Sequence, residues 1–208
     1  VAGDVNRVAE PSMMLRSQGV AKEMMADSAV GFQQESFFEY HIYDLQRPTT
    51  IKNNQTKQIS LMSADGIHIK KEFIVYGQQY FYRSRYNQIP DAKVGVYLKF
   101  KNAEENRLGM PLPAGVIRLY KADSKGKLQF IGEDRIQHTP KNEEITLKIG
   151  DAFDVVAERK QMDYQNIGTR AVETEWEVVL RNHKDEDIVV SVIEPVWGEW
   201  TVMSSTHQ

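Results

Sequence analysis

The sequence contains no cysteine, which excludes disulfide bonds, zinc–thiolate sites and thiol catalysis. This absence does not fix the compartment, because exported and cytosolic proteins alike can lack cysteine. No apolar run approaches the roughly 18 residues that a membrane helix needs. A strong charge of one sign is also missing, since 26 basic and 29 acidic residues give a net charge of −3. So small a charge does not recruit nucleic acid or an anionic membrane.

Local catalytic signatures are absent as well. The sequence has no G-x-S-x-G elbow, H-E-x-x-H helix, P-loop or dinucleotide fingerprint. Its five histidines stand singly and without ligand spacing, so they favour structural or surface roles over a metal site built in three dimensions with carboxylates. We therefore predict no catalytic residue, no metal and no cofactor; the histidines are His41, His68, His138, His183 and His207.

The composition is that of a globular chain, with 41% hydrophobic and 26% charged residues. The chain opens "VAGDVNRVAEP", without an initiator methionine or signal-peptide pattern, so we expect a trimmed piece of a longer product. Residues 1–31 are predicted to be an N-terminal arm or linker. The alternative is a short amphipathic segment over 13–25, whose methionines dock on a partner or on the domain itself.

From Phe37 onward, apolar and polar residues alternate with a period of two. Alternating segments lie at 37–45, 57–63, 66–77, 93–102, 114–122, 127–133, 144–150, 153–160 and 172–182, with a last one at 188–200. Short strands with turn residues between them predict an all-β fold. We expect an antiparallel β-sandwich over residues 32–208, immunoglobulin-like or elaborated, with a possible subdomain split near 90–112.

Turn residues indicate three hairpins. Asp65-Gly66 separates the second and third segments, and residues 123–126 (Asp-Ser-Lys-Gly) separate two later ones. The third is a final hairpin in which "HKDED", residues 183–187, joins 172–182 to 188–200. In its first strand Trp176 lies on the apolar face, and a stripe of glutamates lies on the wet face: Glu173, Glu175 and Glu177.

The stretch "YGQQYFYRSRY", residues 76–86, holds four tyrosines, one phenylalanine and two arginines. As a strand over 80–86 it would place Tyr80, Tyr82 and Tyr86 on one face and Arg83 and Arg85 on the other. Aromatic residues favour strands for packing, so a strand with a wet edge is the first interpretation. A partner-binding or glycan-binding surface is the alternative, whereas the acidic net charge argues against nucleic acid.

The tryptophans of "VWGEW" raise the same question. Gly198-Glu199 is predicted to form a bulge that sends Trp197 and Trp200 to different sides. We expect them to fill the core in preference to stacking on a sugar. The candidate binding residues are therefore Tyr80, Tyr82, Arg83, Arg85, Tyr86, Trp197 and Trp200.

Two blocks, "FFEYHIYDLQRPTTIKNNQTKQISLM" (37–62) and "LPAGVIRLYKADSKGKLQFIGEDRIQHTPKNEEITLKIGDAFDVVAERK" (112–160), resemble a bacterial domain-of-unknown-function family. That domain forms the C-terminal part of mucoidy-inhibitor-like proteins. The resemblance runs from about Phe37 to Trp200 and implies a β-rich, exported protein in the periplasm or at the cell surface. It implies no established activity and no catalytic residues.

We therefore expect a non-enzymatic binding or envelope-assembly module whose partner is another envelope protein or a cell-surface glycan. The alternative is a hydrolase that uses Asp or Glu with or without a metal. Its candidate carboxylates are Asp151, Asp154 and Glu158, and those of a turn at Asp185, Glu186 and Asp187. The alternation and composition do not determine the oligomeric state.

Overall fold

The structure is a computed structural model that describes residues 32–37, 39–45, 48–87 and 89–207. The predicted arm over 1–31 lies outside the described residues. Within them there is no α-helix, only two short 3₁₀ helices, Gln79–Arg83 and Glu104–Asn106. None of the helices in these ranges is long and apolar enough to cross a membrane. The strands are β1 (Phe32–Phe37), β2 (Tyr40–Leu45), β3 (Lys70–Tyr76), β4 (Gly95–Lys101), β5 (Gly115–Ala122), β6 (Leu128–Ile136), β7 (Glu144–Asp151), β8 (Val155–Ile167), β9 (Ala171–Asn182) and β10 (Val190–Ile193).

The strands form one four-stranded sheet and three two-stranded sheets, which confirms the all-β prediction. The larger sheet has the order β10–β3–β4–β7. Its β3–β4 and β4–β7 pairs are antiparallel, whereas β10 runs parallel to β3. The smaller sheets are the antiparallel pairs β1–β2, β5–β6 and β8–β9.

The core lies between the larger sheet and strand β8. Because side chains alternate along a strand, Phe73 and Val75 leave β3 on one face. There they meet Val155 and Ala157 of β8, with Val94 completing the cluster. All five side chains are buried, and burying a valine-sized or larger side chain contributes about 1.5–3 kcal/mol. This packing holds the β8–β9 hairpin on the sheet and fixes where β8 presents its other side chains.

The predicted hairpin around residues 123–126 is confirmed. Strands β5 and β6 pair across a turn in which Asp123 Oδ1 accepts the backbone N–H groups of Lys125 and Lys127, each at 2.9 Å. A hydrogen bond from Gln129 and these backbone donors lower the pKa of Asp123. Gly126 adopts a φ of 76°, which glycine enters without a steric penalty.

Two expectations near the N-terminus are wrong. Residues 37–45 do not form one strand, because a turn at Glu39 divides the region into the antiparallel partners β1 and β2. Residues 57–63 alternate in sequence but form no strand, so Asp65-Gly66 does not close a hairpin. Instead, Arg107 Nη1 donates to the carbonyl oxygen of Asp65 at 3.2 Å. The alternation over residues 57–63 therefore reflects partial burial of some side chains and not pairing with a neighbouring strand.

The predicted final hairpin is also wrong. Strand β9 pairs with β8, which precedes it, across a short turn where Gly168 has a φ of 66°. Residues 183–189 carry the chain to the larger sheet, where β10 lies parallel to β3 and Val192 stands opposite Val75. The glutamate stripe of β9 is exposed, as expected: Glu173, Glu175 and Glu177. Alternation identified the strand and its wet face but not its partner.

Candidate binding site

The aromatic stretch 76–86 is not a strand beyond its first residue, which corrects the prediction for 80–86. Strand β3 ends at Tyr76, and after Gly77 the chain enters the 3₁₀ helix Gln79–Arg83. Such a helix has about three residues per turn, so neighbouring side chains diverge by about 120° and do not alternate between two faces. Consecutive residues can therefore both turn inward, as Phe81 and Tyr82 do here.

Phe81 is the buried anchor of this helix, with 6% of its surface exposed. Its ring centroid lies 5.6 Å from that of Trp176 on β9 and 6.1 Å from that of Tyr86. The guanidinium carbon of Arg159, on β8, lies 5.4 Å from the Phe81 ring and 6.0 Å from that of Trp176. A cation over desolvated aromatic rings is attracted by their electron-rich faces. The helix is thereby packed on the β8–β9 hairpin.

Tyr82 belongs to a partly buried ionic network, the Glu194 network, formed by Tyr82, Arg159 and Glu194. The Tyr82 hydroxyl donates to Glu194 Oε2 at 2.6 Å. Arg159 Nη2 lies 2.5 Å from Glu194 Oε1, and the arginine side chain is only 1% exposed. Burial, and then the hydrogen bond to Glu194, raise the pKa of Tyr82 well above its ordinary value. The network ties the end of β10 to β8 and to the 3₁₀ helix.

Gly77 makes room for this network. A Cβ at position 77 would lie 2.0 Å from Glu194 Oε2, a separation that real atoms do not adopt. The Gly77 N–H also donates to the carbonyl oxygen of Ile193 at 2.8 Å. Glycine is therefore required here by close approach and not by a special backbone angle.

The end of the stretch is bound to β8 by hydrogen bonds. Arg85 Nη2 donates to the carbonyl oxygen of Tyr164 at 2.7 Å and lies 3.3 Å from Asp163 Oδ1. The backbone N–H of Tyr86 donates to Gln161 Oε1 at 2.7 Å. Hydrogen bonds from Gln165 and the Tyr164 N–H lower the pKa of Asp163, with a smaller contribution from Arg85. Arg85 and Tyr86 thus hold the segment in place.

The other candidates lie outward: Tyr80, Arg83, Trp197 and Trp200. Tyr80 and Arg83, one turn apart on the 3₁₀ helix, together with Trp197, which contacts Arg83, form what we call the exposed aromatic surface. The guanidinium carbon of Arg83 lies 5.5 Å from the Trp197 ring centroid. Trp197 is 71% exposed, Trp200 60% and Tyr80 49%. The expectation that the tryptophans fill the core is wrong. Gly198, with a φ of 82°, lies in a bend beyond the end of β10 and not in a strand bulge.

A cleft of about 220 Å³ opens beside the 3₁₀ helix. Tyr76, Tyr80 and Phe81 supply aromatic walls, and Arg159, whose side chain is 1% exposed, also borders the cleft. Gln78 and Asp91, both exposed, bring an amide and a carboxylate to its rim. Its remaining lining residues are Pro90 and Ala92. The cleft is smaller than the roughly 300–1,000 Å³ that small-molecule sites usually measure, and its lining mixes aromatic and polar side chains.

The carboxylates considered for hydrolysis are paired with cations. Asp151 Oδ1 lies 2.9 Å from Lys148 Nζ, and Asp154 Oδ2 lies 3.4 Å from Lys184 Nζ. Glu158 pairs with Arg181, and the hydrogen bond from this arginine lowers the pKa of Glu158. A general acid in glycoside hydrolysis needs the opposite shift, a raised pKa. Glu158 therefore lacks the environment of such an acid.

The turn carboxylates Asp185, Glu186 and Asp187 lie in the connection between β9 and β10, where Glu186 Oε1 is 3.9 Å from Lys71 Nζ. In the described part of the chain, no group of three or more His, Asp or Glu side chains is arranged to hold a metal ion. His138 Nδ1 accepts the backbone N–H of Ala114 at 3.3 Å, and His41 Nδ1 lies 2.9 Å from Gln34 Nε2. These two histidines contact their own neighbours in the fold.

Sequence reasoning missed Arg159 and Glu194, the two charged members of the Glu194 network. A signal for Arg159 was present, because it shares the phase of Val155 and Ala157 along β8, and all three are buried. A cation in phase with an apolar face indicates a buried charge with a specific partner. Glu194 had no comparable signal, since it follows a four-residue strand whose partner the sequence does not reveal.

The chain matches no family model, no curated protein and no solved structure.

Proposed function

We propose that this chain is a non-enzymatic binding or envelope-assembly module of an exported bacterial protein. The resemblance to the domain found in mucoidy-inhibitor-like proteins supports the bacterial and extracytoplasmic parts of this proposal. The exposed aromatic surface supports the binding part. The partner is another envelope protein or a cell-surface glycan.

One observation carries the proposal: exposed aromatic side chains are mounted on a firmly held support. Trp197 is largely exposed, yet it is positioned by Arg83, whose carbonyl oxygen accepts the Tyr164 hydroxyl at 3.0 Å. Tryptophan and arginine are enriched among residues that dominate binding energy. Side chains positioned before binding lose less entropy when the partner arrives. Exposed apolar rings that none of the described elements covers fit a partner surface better than a purely structural role.

Binding is favoured over hydrolysis because the candidate carboxylates form ion pairs with basic side chains. The candidates on β7, β8 and their connection pair with lysine or arginine, and the pKa of Glu158 is lowered. An active site would bring such groups together in a cleft with pKa values matched to proton transfer. The cleft beside the 3₁₀ helix contains one carboxylate, Asp91, and no histidine among its lining residues.

The test is co-sedimentation with washed, insoluble bacterial cell-wall material and, in parallel, retention of solubilised envelope proteins. The parent is compared with the double variant Arg83→Ala/Trp197→Ala. We expect the double variant to bind at least about tenfold more weakly, since central Trp and Arg side chains typically contribute roughly 2 kcal/mol or more.

Phe153→Ala is the matched control, because Phe153 is 74% exposed and lies elsewhere, between β7 and β8. Equal unfolding curves for all three proteins exclude a folding defect. Absence of binding by the parent to both materials, or equal binding by the parent and the double variant, would refute the proposal.

A further inference from the structure

Strand β9 is a long sheet edge that is open on one side. It pairs with β8 along Ala171–Asn182, and no other described strand lies along its second side. Because hydrogen bonds alternate between the two sides of an antiparallel strand, about half of its 12 residues direct their backbone N–H and C=O groups outward. Such an edge is a template for an extended chain, which adds to it through main-chain hydrogen bonds.

The two faces of β9 define what a pairing strand has to present. One face is apolar: Trp176 and Val178 are half-buried there, and Val172 and Leu180 are exposed towards its ends. The other face exposes the glutamate stripe, Glu173, Glu175 and Glu177. Side chains of a strand added at the edge alternate between the same two faces. The added strand therefore matches β9 best when apolar or β-branched residues alternate with charged ones.

The glutamate stripe determines the sign of that charge. Glu175 lies opposite Asp163 of β8, which is another carboxylate. Glu173 lies opposite Gln165, which is uncharged. Strand β8 thus places no cation directly opposite either glutamate. Opposite charges that face each other on neighbouring strands stabilise the pairing, whereas like charges destabilise it. Lys or Arg at alternate positions of the added strand supplies the missing partners.

A second copy of β9 fits the same edge poorly. Antiparallel pairing about a two-fold axis at Glu175 would set this residue against itself and Glu173 against Glu177. Axes at Thr174, Trp176 or Glu177 likewise bring two glutamates face to face, and these registers give extensive overlap between the strands. Charges of this kind protect edge strands against self-pairing. The stripe therefore disfavours a copy of itself and favours a basic strand.

We propose that the open edge of β9 accepts one extended segment of another protein by strand addition, and that Lys or Arg alternates with apolar or β-branched residues in this segment. Its basic side chains pair with Glu173 and Glu175, and its main chain pairs with the outward N–H and C=O groups of β9. This surface goes beyond the proposed function, since no member of the exposed aromatic surface lies on β9.

The test is an NMR titration of the isotope-labelled full chain with peptides whose ends are acetylated and amidated. Low ionic strength is used because salt screens exposed charges. The alternating peptide is TKVKTKVKT, the contiguous peptide of the same composition is TTVKKKKVT, and the acidic peptide is TEVETEVET. We expect the alternating peptide to bind at least about tenfold more tightly than each of the others. It should also slow amide hydrogen exchange at alternate residues of β9, as an added strand does.

The variant Glu173→Lys/Glu175→Lys tests the charge assignment. It keeps Glu177 opposite Lys160 of β8, and it should prefer the acidic peptide to the alternating one. Glu143→Lys/Glu199→Lys is the matched control, because it changes the net charge equally at two exposed sites outside β9. The control should keep the preference of the parent.

Urea unfolding shows whether each variant is folded. If the lysine variant is not, Glu173→Gln/Glu175→Gln takes its place and should bind the alternating peptide about threefold or more weakly than the parent.

Equal binding of the alternating and contiguous peptides would overturn the inference, because charge alone would then account for it. Protection that does not alternate along β9 would overturn it, as would an unchanged preference in the folded stripe variant. Protection of β9 that rises with the concentration of the chain itself, without peptide, would identify a second copy as the occupant and refute the proposal. None of these results bears on the retention test with Arg83→Ala/Trp197→Ala, so the two proposals fail separately.

Discussion

The inner and outer sides of the stretch 76–86 use the same residue types for different purposes. On the inner side, Phe81 is 6% exposed and the Tyr82 hydroxyl donates to the half-buried carboxylate of Glu194. On the outer side, Tyr80 is half exposed and Arg83 lies against a tryptophan that is 71% exposed. An aromatic cluster in sequence is therefore neither a binding site nor a core as a whole. The role of each ring depends on what it contacts. Rings on the inner side contact Trp176 or the Glu194 network, whereas rings on the outer side face solvent.

The largest expected effect comes from the Glu194 network. Glu194→Gln keeps the shape but removes the charge that neutralises Arg159, whose side chain is 1% exposed. Leaving a buried cation unpaired costs about 3 kcal/mol of unfolding free energy. Urea unfolding of the variant measures this, with Glu199→Gln as an exposed control expected to change little. A loss under about 1 kcal/mol in Glu194→Gln would contradict a structural role for the inner side.

Gly77→Ala tests whether the network is held rigidly. The added methyl group would overlap Glu194 Oε2, and overpacking of this kind costs about 1–3 kcal/mol. In a Glu194→Ala background the overlap disappears, so the second substitution should cost much less there. A double-mutant cycle from urea unfolding gives this coupling energy directly. Additive effects would show that Glu194 moves aside freely and that the network does not constrain the inner side.

Tyr82→Phe removes one hydroxyl from the network and should cost about 1.5 kcal/mol, as expected for a hydrogen bond to a charged group. It also changes the pH dependence. Burial and Glu194 raise the pKa of Tyr82 above 10.0 in the folded state. The stabilisation that the protonated Tyr82 hydroxyl gives the fold is therefore complete below pH 10 and decreases as the pH rises from 10 to the folded-state pKa. The parent should therefore lose more unfolding free energy than Tyr82→Phe between about pH 9 and 11. Parallel pH profiles would contradict this.

The smallest effect on stability is expected on the outer side. Trp197→Ala truncates a side chain that is 71% exposed, so its free energy of unfolding should stay within about 0.5 kcal/mol of the parent value. Thermal and urea unfolding both measure this. A loss of 2 kcal/mol or more would place Trp197 among the residues that hold the fold, and the contrast between the two sides would fail.

The sequence predicts strands better than it predicts their partners. Alternation locates β4, β5, β6 and β9 because one face of each packs while the other is wet. Alternation does not show which strands are neighbours. The turn residues after β9 predict that β9 pairs with the following strand, whereas β9 pairs with the preceding β8. The parallel β10–β3 pair is set by the chain returning across the fold, a long-range property that no local pattern records.

The secondary structure of the aromatic stretch 76–86 differs from the prediction. Aromatic richness over 76–86 indicates a strand when local propensity alone is considered. The fold overrides that propensity because Phe81 and Tyr82, adjacent in sequence, both find partners inside, at Trp176 and Glu194. Those partners are 95 and 112 residues away in sequence. Trp197 and Trp200 are exposed because β10 ends at Ile193, a boundary that the sequence pattern does not predict.

The most direct test of the division between the two sides is a single sedimentation experiment on cell-wall material, with the parent, Tyr82→Phe and Arg83→Ala/Trp197→Ala compared at conditions where all three are folded. We predict that Tyr82→Phe, although less stable, pellets with the material like the parent. The double variant, although as stable as the parent, should remain in the supernatant. If Tyr82→Phe loses binding while the double variant keeps it, the binding side of this segment is the inner one, and the account is wrong.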